Sequence, residues 1–464
     1  MSTAEPLPGE LLGAGSFATE TLPGDAASLG RAAVRRISRR LLPLLGLGYG
    51  VAYIDRLNVS FAALQMNRQL HFSASIYGMG AGLFFLGYAV FEVPSNLLLL
   101  RFGARRWLAR ILFTWGLLAA GMLLVRTPRE FYVMRSLLGM AEAGFFPGVI
   151  YYLSQWFPPE ERARAVSGFY VAYPIGAAVM GGVAGAILRL DGRLGMAGWQ
   201  WLFLLEGLPA LVLGFVFLGQ LPDGPADARW LPSPERAWLL DRLATERVAI
   251  TRSTGGVRDG GWPALLREVR FWQMSVFFLF MLTAGYAYSL SAPAILAHLT
   301  GFSPGQVGYL VAGMSLVGAA AMIANARHSD RTGERYLHTA VPFLLMSVGY
   351  IAAGLSTAPW VAVPGLALSL IAYTATMGPQ WAIPPTFLEG PAAARGIAAM
   401  NTVGMVGGFV GPYWMGVIRD HTGSYDRGLL CLAVLTAIAA GIMLEMRRAA
   451  ARGSALATEN QVGA

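Results

Sequence analysis

Lysine is absent from the chain: all 35 basic residues among its 464 are arginines. We read this as compositional bias without functional meaning. Cysteine is almost as scarce, and the one present, Cys431, lies in an apolar run, which excludes an internal disulfide or a thiol framework. Charge of either sign is sparse. Only 13% of residues are charged, against roughly a quarter in an ordinary globular domain. His298, His328, His338 and His421 stand at helix ends or in loops without metal-ligand spacing, so no metal or other cofactor is expected. The first 30 residues lack the charged, apolar, small order of a cleaved secretion signal.

What fills the sequence instead is apolar. Hydrophobic residues make up 55% of the chain, mean hydropathy is +0.52, and runs close to 20 residues recur along nearly its whole length. That is the length a helix needs to cross the hydrocarbon core, so the chain reads as an all-α membrane protein. The net charge of +9 falls mostly between the runs, which is a positive-inside pattern rather than a nucleic-acid face.

Twelve runs are expected as transmembrane helices: 41–64, 76–99, 107–125, 131–157, 166–190, 201–221, 271–299, 306–326, 337–356, 360–384, 394–418 and 429–447. Arg31, Arg35, Arg36, Arg39 and Arg40 precede the first, which puts the amino terminus on the cytoplasmic side, and twelve crossings return the carboxyl terminus there. The expected organisation is a disordered tail over 1–38, a six-helix bundle over 39–221, a linker with an amphipathic helix over 222–270, a second bundle over 271–448, and a tail over 449–464. The segment PPEERARA reads as a turn-like loop between the fourth and fifth runs. Two loops, RFGARR (101–106) and RHSDRTGER (327–335), share an Arg-x-Gly core after the second helix of each half, as in a duplicated six-helix unit.

The run from Phe131 to Phe157 carries Arg135 and Glu142. A charge at membrane depth costs at least about 2.5–3.5 kcal/mol, so it needs a partner or a wet cavity. Seven residues apart, the two share one helical face, with Gly139 between them for close packing. Arg135 stands near the start of the run, and two readings stay open for it: snorkelling to the interface or lining a polar pocket. Glu142 is about 18 Å along and cannot reach water that way; it either holds helices together through an ion pair or serves the pocket. Asp55, about 21 Å into the first helix, is in the same position. Glu92 is read as structural, paired with a loop arginine such as Arg101.

The blocks YIDRLNVSFA (53–62), FEVPSNLLL (91–99), RSLLGMAEAGFFPG (135–148) and GWQWLFLLEGLPA (198–210), together with the two glycine turns, carry a resemblance to a known family. The chain resembles the major facilitator superfamily of transporters, and within it the anion:cation symporters, which include tartrate, phthalate and galactonate carriers. In the second turn Asp330, Arg331, Gly333 and Arg335 follow the family pattern. In the first, with Arg101, Gly103, Arg105 and Arg106, Leu100 stands where the family usually has an acid.

The resemblance implies two six-helix bundles and proton-driven import of a small organic anion by alternating access. It assigns proton coupling to Asp55 and Glu142. It assigns substrate contact to Tyr53, Arg56, Tyr88, Arg135, Tyr173, Gln380, Trp381 and Asn401, Tyr173 replacing a glutamine of the galactonate carrier. The implied partners are a carboxylate substrate, a proton and the bilayer, with the protein a monomer of the inner membrane. An exchanger or facilitator without net proton flow is the competing transporter reading, and a membrane ligand sensor a more distant one. An enzyme is not expected, because no nucleophile-base pair or metal cluster sits in a span.

Overall fold

The computed structural model describes the backbone of residues 23–254, 261–388 and 390–462. Among these no strand occurs, and the α-helices are α1 (Pro23–Gln69), α2 (Ala74–Phe102), α3 (Ala104–Gly121), α4 (Pro128–Glu142), α5 (Phe145–Ser154), α6 (Pro159–Tyr170), α7 (Ala172–Leu188) and α8 (Gly198–Gln220), then α9 (Ser233–Thr254), α10 (Gly261–Arg267), α11 (Val269–Thr300), α12 (Pro304–Thr332), α13 (Leu337–Leu355), α14 (Pro359–Ala375), α15 (Gly390–Thr422) and α16 (Asp426–Val462). α4 with α5 forms the fourth crossing, α6 with α7 the fifth, and α9 and α10 lie in the linker. Ten crossings are long and apolar enough by composition alone to span a bilayer. α1 and α15 complete the twelve.

The packing repeats between the halves. α3 lies along α8 as α13 lies along α16, α2 packs on α4 as α12 packs on α14, and α1 meets α7 as α11 meets α15. Two mirrored contacts join the halves, α2 with α15 and α7 with α12. Small residues allow the approach: a Cβ on Gly308 would run into the backbone oxygen of Gly181, and one on Gly416 into that of Ala74. Close approach of this kind is how helices associate where lipid offers no hydrophobic drive.

Several boundaries differ from the sequence reading. α1 begins at Pro23, so residues 23–38 are helical rather than a disordered tail, and the part of that tail before Pro23 lies outside the described residues. The reason is a buried stripe at helical spacing, Ala33, Ile37, Leu41 and Leu45, against which α9 packs; Arg36 adds a 3.1 Å ion pair to Glu235. α16 likewise continues to Val462, through most of the expected terminal tail. PPEERARA is not a loop beyond its first prolines, because α6 starts at Pro159 with Glu160 and Glu161 in its first turn, where acids favour a helix start. α12 runs to Thr332, leaving only the turn at Gly333 from the expected RHSDRTGER loop.

The fourth crossing, read as one run, is broken. Gly144 has φ 86° and ψ −5°, a left-handed conformation, and divides α4 from α5 directly after Glu142. A Cβ there would also collide with the side chain of Ser95. The break ends α4 at the carboxylate that matters most below.

Candidate functional site

Asp55 and Arg56 are neighbours on α1, and successive residues on a helix point about 100° apart. The structure uses that divergence to send them to different partners. Arg56, 8% exposed, turns toward Glu142 of α4, which is fully buried. Its Nη2 lies 2.6 Å and its Nε 2.8 Å from the same oxygen, Glu142 Oε1. The other carboxylate oxygen, Oε2, has no hydrogen-bond partner among the described residues. Arg56 Nη1 reaches across to the second half and donates to Tyr286 Oη on α11 at 3.4 Å. Tyr88 of α2 lies beneath the guanidinium, with 5.2 Å from its carbon to the ring centroid. A cation held over an aromatic face in a dry site gains additional electrostatic stabilisation.

Asp55 turns the other way, into the first half. Its Oδ1 accepts from Asn58 Nδ2 at 3.1 Å. Arg135 is 1% exposed and packs over Phe84 at 4.8 Å, which excludes snorkelling. Its position follows from tight packing of α4 on α2, where a Cβ at Gly139 would meet the backbone oxygen of Phe84. Of the four ionisable groups expected in a single chamber, Arg56 and Glu142 form an ion pair, while Asp55 and Arg135 make no ion pair with each other among the described residues. The Arg56–Glu142 pair touches the second half through Tyr286.

The remaining expected residues are distributed around this centre. Tyr53 and Tyr173 meet with ring centroids 4.1 Å apart, and both line a central cavity shared with Tyr288, Pro293, Met314 and Thr374 of the second half. Its volume is about 30 Å³, on the scale of one water molecule. Gln380 is fully buried on a short 3-10 turn, Pro379–Ala382, where α14 gives way to broken helix, and its Nε2 donates to Met377 Sδ at 3.7 Å. Trp381 stacks near Phe278 at 4.6 Å. The Asn401 amide donates to both Glu92 oxygens at 3.2 and 3.3 Å, joining α2 to α15 across the halves. Glu92 is thus not paired with Arg101, whose guanidinium instead lies over the ring of Phe102.

The two glycine turns differ. In the second half Arg335 binds Asp330 Oδ1 at 2.5 Å and Ser329 Oγ at 3.0 Å around Gly333. Arg331 is exposed. In the first half, where Leu100 stands in place of the acid, Asp223 from beyond α8 reaches the turn but forms no ion pair there among the described residues: its Oδ1 accepts from the Arg105 backbone at 3.2 Å, against Gly103 with φ 86°. Arg105 Nε donates to the Leu218 carbonyl at 2.6 Å, while Arg106 is exposed.

Two groups escaped the sequence reading. Tyr286 is a tyrosine in an ordinary apolar run, and nothing in its spacing marks it. Glu206 is different: it sits in WLFLLEGLPALVLG, as anomalous there as Glu142 in its own run, and the same rule singles it out. It is 5% exposed on α8.

The sequence profile described as Major Facilitator Superfamily matches residues 45–412. A protein of Agrobacterium vitis named "Putative tartrate transporter" is 42% identical over 417 residues, which cover 90% of this chain and 95% of that one. The "Quinolone resistance transporter" of Acinetobacter baumannii is 37% identical over 402 residues, 87% of this chain and 92% of the relative. Among solved structures, the bacterial homologue of the human lysosomal transporter Spinster, inward-facing and occupied, superposes with a TM-score of 0.70 at 17% identity, covering 88% of this chain and 96% of its own. The likeness to that structure concerns the fold alone. The profile match and the two close relatives, added to a duplicated twelve-helix packing around a buried ion pair, make this chain a member of the Major Facilitator Superfamily: a multi-pass membrane transporter of small organic substrates and not an enzyme.

Proposed function

We propose that the protein is a proton-coupled symporter that imports a small organic carboxylate, tartrate-, sugar-acid- or aromatic-acid-like, by alternating access. The observation that carries this reading is the Arg56–Glu142 pair, buried at the seam where α1 reaches Tyr286 of the second half. A guanidinium is a two-pronged donor matched to a carboxylate. An entering anion competes with Glu142 for it. Once displaced, Glu142 is a buried carboxylate without its cation, and protonation removes that cost. Anion and proton binding are then linked, each favouring the other by the same factor.

Arg135 and Asp55, both buried, add a second cation and a second carboxylate to the same exchange. Tyr53, Tyr88 and Tyr173 supply hydroxyl and ring contacts, and Gln380 and Trp381 close the site from the other half. The central cavity is too small for a tartrate-sized solute, so binding requires the halves to part. The names of the A. vitis and A. baumannii relatives support the substrate class, since tartrate is a dicarboxylate and quinolones carry a carboxyl group on an aromatic frame. We place the protein as a monomer in the inner membrane, with both termini and the α9 linker helix in the cytoplasm, as the arginine-rich first helix favours.

The test is tartrate added to proteoliposomes of the purified protein with a pH dye outside. Uptake with external alkalinisation supports symport. Uptake without it makes the protein an exchanger or facilitator, and a failure of tartrate and of a panel of sugar and aromatic acids removes the organic-anion reading.

A further inference from the structure

The linker helix α9 packs on α1 and is tied to α6 by Arg242–Glu160 and Arg162–Glu246. The three helices enclose a cleft of about 920 Å³, within the size range of ligand sites. It shares no residue with the centre around Arg56 and Glu142. Trp238 of α9 closes one end at Gly30, where a Cβ would collide with the indole.

The cleft is basic. Arg31, Arg35 and Arg39 recur every four residues along α1, which sets them on one face, and that face forms one wall. Arg164 of α6 stands in another. All four are exposed, and none forms an ion pair among the described residues. Two acids line the same cleft. Glu160 is taken by Arg242 at 2.5 Å, and Glu161 offsets one more arginine, so three positive charges remain in excess. The positive-inside pattern asks only for arginines near the membrane. It does not gather four unpaired ones from two helices around a concave surface, where like charges repel until an anion enters.

The floor of the cleft indicates where that anion comes from. Leu42 and Gly168 line it, each at the start of an apolar run, 41–64 and 166–190. Gly168 is exposed, and a Cβ on it would touch only the Leu42 side chain, at 3.5 Å. Arg39 precedes Leu42 by three residues, about 4.5 Å along the helix. The guanidiniums therefore stand at headgroup level and the apolar floor at the level of the first acyl carbons. A soluble anion has use for the first but not for the second.

We propose that this cleft binds an anionic phospholipid, its phosphate held by the forked guanidiniums of Arg35, Arg39 and Arg164 and its acyl chains passing Leu42 and Gly168. Basic pockets at the ends of membrane helices recognise anionic headgroups in this way. The lipid touches α1, α6 and α9 together and so braces the linker helix on the first six crossings. The site stands whether or not transport is coupled to protons.

The test is native mass spectrometry of the purified full chain in neutral detergent, titrated with phosphatidylglycerol, with phosphatidylcholine and with inorganic phosphate. Phosphatidylglycerol is retained more tightly than phosphatidylcholine, and inorganic phosphate does not displace it. Arg35→Gln with Arg39→Gln weakens its binding about thirtyfold, two arginines at about fivefold each. Arg164→Gln, on a different helix, weakens it about fivefold and keeps the test decisive if the double variant fails to fold. Arg448→Gln with Arg452→Gln removes the same charge from exposed positions on α16 and leaves binding unchanged. Equal retention of phosphatidylcholine, full affinity in the Arg164 variant, or an equal loss in the α16 variant overturns the site. Displacement of the lipid by inorganic phosphate makes the cleft a soluble anion's site and overturns the lipid as its occupant.

Discussion

Replacing Glu142 by Gln removes the charge from the central pair while keeping its shape. Under the proposed coupling, the anion in the wild type takes Arg56 from Glu142, and Glu142 then gains one proton. Above the pH at which the anion-free carrier holds Glu142 ionised, one linked proton makes tartrate affinity fall about tenfold per pH unit, or about 1.4 kcal/mol. Over two units the loss is about a hundredfold. In Glu142→Gln that linkage is gone and the affinity of the site is flat with pH. The substitution also leaves Arg56, 8% exposed, without its counter-charge. Breaking a buried pair from one side costs roughly 3–5 kcal/mol. The empty variant therefore unfolds more easily than wild type, and saturating tartrate stabilises it by more than it stabilises wild type. Calorimetric titration at a series of pH values measures the slope, thermal unfolding with and without tartrate measures the second effect, and vesicle uptake measures the consequence. A variant with the wild-type slope, or with unaltered concentrative uptake driven by a pH gradient, refutes the reasoning.

Three further outcomes are expected. Asp420 of α15 caps the first turn of α2, accepting from Ala74 N at 3.0 Å and Ser75 N at 2.8 Å, and so ties the halves at the end away from the linker. Asp420→Ala, at about 1.4 kcal/mol for a partly exposed charge-assisted contact, raises maleimide labelling of Ser75→Cys about tenfold in a Cys431→Ser background; an unchanged rate removes the latch. Gly308→Val cannot close α12 against the Gly181 backbone, so tartrate binding survives while uptake is lost, and wild-type uptake would contradict the close approach. Gly144→Ala forces a left-handed backbone on a residue with a Cβ, at about 1–2 kcal/mol, and lowers the unfolding temperature; a neutral result would show that the break after Glu142 adapts.

Much of the architecture was legible because it rests on the simplest signal, apolar length. A buried Glu142 in a run of that kind had to find a cation, and it does. Which cation was not legible: Asp55 and Arg56 are adjacent, and periodicity fixes the angle between them without saying which neighbouring helix each one meets. Packing of α4 on α2 through Gly139 seats Arg135 over Phe84, and Glu142 takes Arg56 instead. Glu206 was as conspicuous in the sequence as Glu142, but it has no arginine to make it look paired. The helical start of α1 was obscured by composition, since its buried stripe is short, small and interleaved with arginines. Asp223, which reaches the turn where Leu100 stands in place of an acid, comes from more than a hundred residues away in the chain, beyond the reach of any local motif.

The linker helix has a practical consequence for anyone who wants to watch this transporter work. α9 is strapped to the first six crossings by Arg36–Glu235, Arg162–Glu246 and Arg242–Glu160, whereas α10 packs on α11 and α15 of the last six. Of the two linker helices, one thus belongs by its contacts with the first six crossings and the other with the last six. In the alternating-access reading proposed for it, a fluorophore on α9 travels with the first six crossings and a second on α16 with the last six, so their energy transfer records each stroke without a label near the substrate.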